Sequence, residues 1–382
     1  MTKKWYGATF KLGVLGGGQL GRMLIQSAMD YDVHVYVMDT SKTAPCGRLA
    51  YEFTEGDIQS YDDVIAFGKD KNVITVEIEH VNVDALEELE SRGIKVFPQP
   101  KILRLIQDKG LQKNFYKENN IPTASFHLIN DKSELNNYLN ELPFVQKLRK
   151  GGYDGKGVMT INSVADFNKA FDQSSLIEKK VDFTKELSVL VARNEHGEIK
   201  TFPVVECEFS EKLNLVEFLF SPASISESIE KSATDLAEKV IKELGLVGLL
   251  AVELFLTKDN QLLVNEVAPR THNSGHHTIE CNYVSQFEQH LRSILGLPLG
   301  NTNIKTPGVM INLLGEEGFE GPALYDGLEE VMKMDEVHVH LYGKEKTKPY
   351  RKMGHITVTS TEIETAKIQA RKVQALLKVI SK

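Results

Sequence analysis

The segment Leu249–Val267 holds the residues whose types and spacing carry the most chemistry. Two apolar strands flank Lys258-Asp259-Asn260, a good turn sequence. A hairpin centred between Asp259 and Asn260 sets Glu253 opposite Glu266 on one face. Directly opposed side chains in an antiparallel ladder stand about 5 Å apart at Cβ, and like charges there repel. A cation between the two carboxylates is therefore expected. Hard divalent ions take oxygen ligands, and Mg²⁺ is held by one or two carboxylates together with substrate phosphates. The hairpin predicts a platform for a metal ion and a nucleotide's phosphates, with two solvated glutamates as the plain alternative. Next come Arg270, His272, Asn273, Ser274, His276 and His277, a run of donors at a strand end. The planar fork of Arg270 suits bicarbonate or phosphate, and the histidine spacing is not that of a zinc site.

A second candidate lies upstream. Phe144–Leu148 is followed by Arg149-Lys150-Gly151-Gly152-Tyr153-Asp154-Gly155-Lys156-Gly157 and then by the strand-like Val158–Ile161. Glycines interleaved with basic residues describe a loop able to close on phosphate groups and to exclude water from a reactive intermediate. A third is Gly16-Gly17-Gly18-Gln19-Leu20-Gly21, which follows a strand and opens a helix, with Asp39 ending the next strand. That pattern fits a dinucleotide site, and the amino end of a helix suits a sugar monophosphate equally well.

The elements that must position these residues divide into three regions. Lys11–Leu15, Val33–Met38, Val73–Ile78 and Ile94–Phe97 read as strands and Arg22–Met29 as a helix. This is a small Rossmann-like parallel sheet with helices on both faces for residues 1–100. Pro98 and Pro100 mark a break, and Leu103–Glu118 reads as one helix. Short strands and helices follow, in a mobile lobe spanning about 121–183. Then come longer β segments, Leu187–Arg193 and Ile199–Phe209, a helix Ser228–Leu244 and the hairpin. Residues 101–300 are thus expected to form the central α+β region. Residues 301–382 form a small last domain, with strands Val337–Leu341 and His355–Thr359 closed by a helix Thr365–Ile380.

At 382 residues the chain exceeds one hydrophobic core, and a net charge of -8 argues against nucleic-acid binding, which needs a basic footprint. The longest apolar run, near Leu246–Leu256, is interrupted by Gly248 and Glu253. No membrane span is predicted and a cytoplasmic location is expected. Cys46, Cys207 and Cys281 are far apart and read as buried thiols.

With Gly151-Gly152-Tyr153-Asp154-Gly155-Lys156-Gly157 and Asn265-Glu266-Val267-Ala268-Pro269-Arg270-Thr271-His272-Asn273-Ser274-Gly275-His276, the chain closely resembles the N5-carboxyaminoimidazole ribonucleotide synthetases, ATP-grasp enzymes of purine biosynthesis. The resemblance runs from Gly16 to about His355. It implies a three-domain ATP-grasp architecture, a homodimer, and ATP- and bicarbonate-dependent carboxylation of 5-aminoimidazole ribonucleotide through carboxyphosphate.

Carried over by position, the resemblance makes Lys109 and Lys147 contacts of the ATP phosphates. Gly152, Tyr153, Asp154, Gly155, Lys156 and Gly157 form the covering loop. Glu178, Lys179, Lys180 and Val181 form the adenine linker, and Glu186 is the ribose carboxylate. Asn265 and Glu266 lie against ATP, with Glu253 and Glu266 on Mg²⁺, Mn²⁺ being the alternative ion. Gly18, Gln19, Leu20, Glu77, Glu79 and Asn273 are implied to bind the ribonucleotide. Lys344, Arg351 and Lys352 close over its phosphate and over bicarbonate. Asp154, Lys156, Arg270, His272 and Lys344 form the catalytic and bicarbonate-handling group, with Asp154 and His272 both open as the group that moves the amine proton.

Two positions depart from the family pattern: Lys156, where arginine is common, and Tyr350, where glycine is common. Rival expectations are another ATP-grasp ligase, such as the formate-dependent glycinamide ribonucleotide enzyme, and a nicotinamide-dependent dehydrogenase built on Gly16–Gly21. Gln19 and Asn273 favour the carboxylating enzyme over the first of these, because that relative tends to be acidic at both places.

Overall fold

The computed structural model describes residues 4–152, 157–209 and 216–382. The first region is a five-stranded, wholly parallel sheet. Its order is Glu52–Glu55, Val35–Asp39, Leu12–Leu15, Val73–Val76, Lys95–Val96. Leu12–Leu15 and Val73–Val76 are buried at every position, as central parallel strands must be when both faces are covered. The edge strand Glu52–Glu55 escaped the sequence reading because its pattern is polar and half exposed.

Chain order reverses between Leu12–Leu15 and Val73–Val76, so the connections leave in opposite directions and a crevice opens at their carboxyl ends. Gly16–Gln19 lines one side of that crevice and Glu77–Glu79 the other. One face of the sheet is covered by Gln19–Met29 and, from far along the chain, by Phe287, Leu291 and Ile294 of the helix Gln286–Ile294. That helix ties the first region to the middle one, and its buried His290 reaches back to Thr75 at 2.9 Å.

The expected helix Leu103–Glu118 is two helices, Pro100–Ile106 and Lys109–Glu118. Asp108 makes the break: its backbone is extended and its carboxylate accepts the N–H groups of Gly110 and Leu111 as an N-cap. Lys109 thereby becomes the first residue of a helix that starts at the cleft.

Two further sheets follow. The smaller is antiparallel, in the order Phe126–Ile129, Ser175–Lys179, Phe144–Leu148, Val158–Ile161. The larger runs from Leu262–Ala268 through Gly248–Thr257, Phe183–Arg193, Val205–Phe209 and Val216–Ser221 into Gly308–Leu314, Lys352–Thr359 and Val337–Leu341, with Ile199–Thr201 paired beside Phe183–Arg193 as a ninth strand among the described residues. The last region therefore continues the sheet of the middle one through the pairing of Val216–Ser221 with Gly308–Leu314. Helix Glu227–Leu244 covers one face, started by the Ser226 cap and stopped by Gly245 in the left-handed conformation at φ 63°. At the carboxyl terminus the expected helix ends early, at Leu376. Lys378–Ser381 instead forms a strand against Gly321–Asp326.

Candidate active site

Glu253 and Glu266 are paired in register across the hairpin, as the turn sequence predicts, but by a different route. The turn is centred one half-step earlier. Thr257 and Gln261 close a three-residue loop with Asn260 at φ 58°, and the tip pairs Leu254 with Val264. Continued regularly, that pairing would face Glu253 with Asn265. A β-bulge at Asn265 advances the strand by one residue and brings Glu266 into place. Bulged Asn265 turns its amide oxygen to Lys147 Nζ at 3.0 Å, and Lys109 Nζ binds Glu266 Oε2 at 2.8 Å. On the next strand Glu186 and Ser188 pair with Phe255 and Glu253, so Glu186 joins the same face.

Three carboxylates on one face shift one another's titration. Burial pushes Glu253 well above the ordinary carboxyl range, and Glu266 and Glu186 push it further. Burial lifts Glu186 to about 7. Lys109 holds Glu266 low. Among the described residues no three His, Cys, Asp or Glu side chains stand close enough to hold a metal by themselves, so a hard divalent cation on this face would draw on Glu253 and Glu266 together with oxygens of its ligand.

The implied adenine linker divides. Glu178 points inward, 4% exposed, and binds Lys113 Nζ at 2.5 Å and Lys147 Nζ at 2.7 Å. Lys179 and Lys180 are exposed and Val181 is half-buried. Lys113 was missed by the sequence reading, although it lies one turn after Lys109 on the same helix face. Burial lowers its pKa to about 8. Arg149, at the stem of the glycine loop, makes a two-point ion pair with Asp108 at 2.9 and 2.7 Å. Its carbonyl accepts the Lys109 N–H, so the loop stem and the start of the Lys109 helix move together. Gly152 lines the cleft, and Gly157 needs its glycine at φ 77°. Tyr153, Asp154, Gly155 and Lys156 lie outside the described residues.

One cleft runs from this platform to the Ile78–His80 edge of the crevice in the first sheet. Its walls include Glu79, Lys109, Glu253, Glu266, Arg270 and His272. Arg270 bridges the two, with Nε 2.9 Å from Glu79 Oε1. In the crevice Glu77 accepts the Leu20 N–H at 3.2 Å, and a Cβ on Gly18 would lie 2.4 Å from Glu77 Oε1. Burial raises the Glu77 carboxyl while Arg270 opposes the shift. Asp39 accepts the Gly17 N–H at 2.6 Å. The acid that a dinucleotide site would offer to a ribose is engaged by the glycine loop itself, which counts against a dehydrogenase. Asn273 carries a buried side-chain oxygen with no hydrogen-bond partner among the described residues, as a ligand-facing amide would. Lys344 donates to the Lys352 carbonyl at 2.6 Å, and Arg351 to that of Lys346 at 2.6 Å. The charge of Lys344 favours ionisation of Glu77, and that of Lys352 ionisation of Glu253.

Also unforeseen is a stack of imidazoles, with His276 and His355 buried and His340 half-buried. His276 lies on His355 at 4.6 Å between ring centroids and His355 on His340 at 4.4 Å. Burial keeps His276 and His355 neutral, and the stack joins the donor run after the hairpin to the last strands of the large sheet. Cys46 and Cys281 are buried and Cys207 half-buried. Among the described residues no helix is long and apolar enough to cross a membrane.

A parallel first domain, a two-lobed nucleotide platform and a paired carboxylate hairpin define an ATP-grasp ligase. The sequence matches three family models in order: the ribonucleotide synthetase preATP-grasp domain over residues 9–107, the ATP-grasp domain over 114–287 and the phosphoribosylaminoimidazole carboxylase C-terminal domain over 308–369. It is 40% identical to the N5-carboxyaminoimidazole ribonucleotide synthase of Bacillus subtilis, over 91% of this chain and 90% of that one. The chain belongs to the N5-carboxyaminoimidazole ribonucleotide synthase family.

A chloroplastic phosphoribosylaminoimidazole carboxylase of Vigna aconitifolia is also 40% identical, and there the match covers 93% of this chain and 65% of the longer relative. Among solved structures, the N5-carboxyaminoimidazole ribonucleotide synthetase of Thermotoga maritima superimposes with a TM-score of 0.91 at 41% identity, covering 98% and 100% of the two chains. The Aspergillus clavatus enzyme, solved with ADP and 5-aminoimidazole ribonucleotide, gives 0.89 at 33% identity, covering 96% and 98%.

Proposed function

We propose that the chain carboxylates the amine of 5-aminoimidazole ribonucleotide with bicarbonate, consuming ATP and releasing ADP and phosphate. One observation carries this reading: the Glu253/Glu266 platform and the switch-point crevice open into one cleft, bridged by Arg270 and Glu79. A phosphoryl donor held on the first would lie beside a ribonucleotide held in the second.

In this reading a bicarbonate oxygen attacks the γ-phosphorus of ATP, ADP leaves and carboxyphosphate forms. The amine nitrogen then attacks the carboxyl carbon, phosphate leaves and the nitrogen loses a proton. Phosphoryl transfer demands positioning and charge neutralisation more than covalent chemistry. Lys109 and Lys147 supply fixed positive charge beside Glu266 and Asn265. Glu253 and Glu266 would hold Mg²⁺, or Mn²⁺, which when bound neutralises phosphate charge. Arg270 and Lys344 offer donors to the carbonate-derived anion. The resemblance assigns Asp154 and Lys156, which lie outside the described residues, to a loop that would cover this anion and limit its hydrolysis. Gln19, Leu20, Glu77 and Asn273 would orient the ribonucleotide, and Arg351 and Lys352 its phosphate. A homodimer, a cytoplasmic location and a division near residues 100 and 300 belong to the same reading.

The test is ADP release measured with substrates supplied singly and together. Rapid release is expected only with 5-aminoimidazole ribonucleotide and bicarbonate both present. Equal release with formate and glycinamide ribonucleotide overturns the assignment.

A further inference from the structure

His290 is a wholly buried residue of the helix Gln286–Ile294, and its two ring nitrogens reach two different strands. Nδ1 accepts the backbone N–H of Leu249 at 3.2 Å. Leu249 belongs to Gly248–Thr257, and the neighbouring strand Leu262–Ala268 ends opposite Ala251, short of it. The imidazole thus stands in for a ladder partner to a buried N–H. Burial lowers the His290 pKa to about 4, and a backbone amide can only donate, so the single proton of the neutral ring sits on Nε2. Nε2 lies 2.9 Å from the hydroxyl oxygen of buried Thr75, in Val73–Val76. Gly248 leaves room for the ring: its φ is 128°, and a Cβ there would come within 3.3 Å of His290 Cε1.

These two strands lead to the two halves of the cleft. Thr75 stands two residues before Glu77 of the crevice, and Leu249 four residues before Glu253 of the platform. Along extended chain those separations are about 7 Å and about 13 Å. Each strand is held on both sides by its own sheet, so each half is rigid in itself. What remains to be fixed is how one half stands against the other. Around the bridge Val73, Val247, Phe287, Leu291 and Ile294 form one apolar cluster. Apolar contact is non-directional, whereas two hydrogen bonds to one planar ring fix both distance and direction.

We propose that His290 is a positioning residue: bonded to Thr75 at one nitrogen and to Leu249 at the other, it holds the crevice of the first sheet in register with the carboxylate platform. His290 does not line the cleft and acts through the strands it joins. The inference rests on the carboxylation reading, in which this register keeps the ribonucleotide amine in line with the carbonate-derived electrophile.

The test measures binding and turnover separately in variants at both ends of the bridge. Thr75→Val keeps the shape of the side chain and removes the acceptor, and Thr75→Ser restores it. His290→Asn sets an amide oxygen near the Nδ1 position and cannot reach Thr75. In Thr75→Val and His290→Asn, the Kd of ADP and that of 5-aminoimidazole ribonucleotide, each titrated alone, should stay within about 3-fold of the parent, while kcat falls by about 10-fold to 100-fold. The ¹⁴C fixed from bicarbonate per ADP released should fall too, because carboxyphosphate formed out of line with the amine is lost to water. Thr75→Ser should return kcat and the fixation ratio to within about 3-fold of the parent. Unchanged kcat in Thr75→Val overturns the proposal. So do affinities that fall as far as kcat does, the pattern of a general loss of structure. Should His290→Asn fail to fold, the Thr75 pair decides. Failure of the carboxylation reading registers elsewhere, in the parent enzyme, as absence of ADP release dependent on ribonucleotide and bicarbonate.

Discussion

Glu253 and Glu266 face each other because Asn265, between Glu266 and the strand tip, is bulged out of the ladder. The bulge has two effects at once: it aligns two carboxylates and gives Lys147 an amide oxygen at 3.0 Å. Lys109 then neutralises one carboxylate and leaves its partner short of a counter-charge.

Replacing either member of the pair by its amide is expected to remove the cation platform while preserving shape. Glu253→Gln and Glu266→Gln should each lower substrate-dependent ADP release by about 100-fold or more, read by a coupled ADP assay at saturating ATP. Activity within a few-fold of the parent in both variants would exclude this pair as the metal site.

The same pair predicts a pH dependence of stability. Glu186 titrates at about 7 and Glu253 is also raised, both by burial first, against an ordinary value of 4.5. Between the ordinary and the folded values the native state binds more protons than the unfolded one, so stability falls as pH rises. Glu266, held low by Lys109, acts oppositely: its contribution is present above the ordinary value and is lost under acid. Thermal unfolding without divalent ions should therefore show a falling midpoint from about pH 5 to 8. Glu186→Gln should flatten that slope, and added Mg²⁺ should reverse part of it.

Lys113 and Glu178 form an ion pair with both partners almost wholly buried, at 2% and 4% exposure. Lys113→Ala takes away one charge-assisted contact of Glu178 and leaves it paired with Lys147, so it should cost about 2 kcal/mol of stability in urea unfolding. Lys113→Met combined with Glu178→Gln should recover much of this. Because Lys147 also binds Glu178, the single variant should raise the KM for ATP more than it lowers kcat.

Tyr350 occupies a left-handed backbone position at φ 64°, where its N–H bonds the Gly315 carbonyl. Side chains disfavour that region by about 1 kcal/mol or more, a strain that glycine would not carry. Tyr350→Gly is expected to raise stability by up to about 1 kcal/mol, and Tyr350→Ala to raise nothing. Urea midpoints of the three proteins decide it.

The sequence by itself determined what depends on near neighbours. Alternation and apolar runs marked four of the five strands of the first sheet, Lys258-Asp259-Asn260 marked the hairpin, and two motifs carried the family. It determined less wherever a short polar residue changed the local path: Asp108 split one expected helix, and Lys378–Ser381 left another to pair with a distant strand. The Glu253–Glu266 pairing was foreseen through a turn centre that was slightly wrong, and the bulge corrected it.

Tertiary structure alone decided which side chains meet across large separations. Glu178 turned inward to Lys113 and Lys147, the Gln286–Ile294 helix covered the first sheet, and Ser188 and Ser274 met behind His272. The physical reason is range. A turn or a helix cap is set by bonds within a few residues, whereas a buried charge is set by whatever the completed packing brings against it.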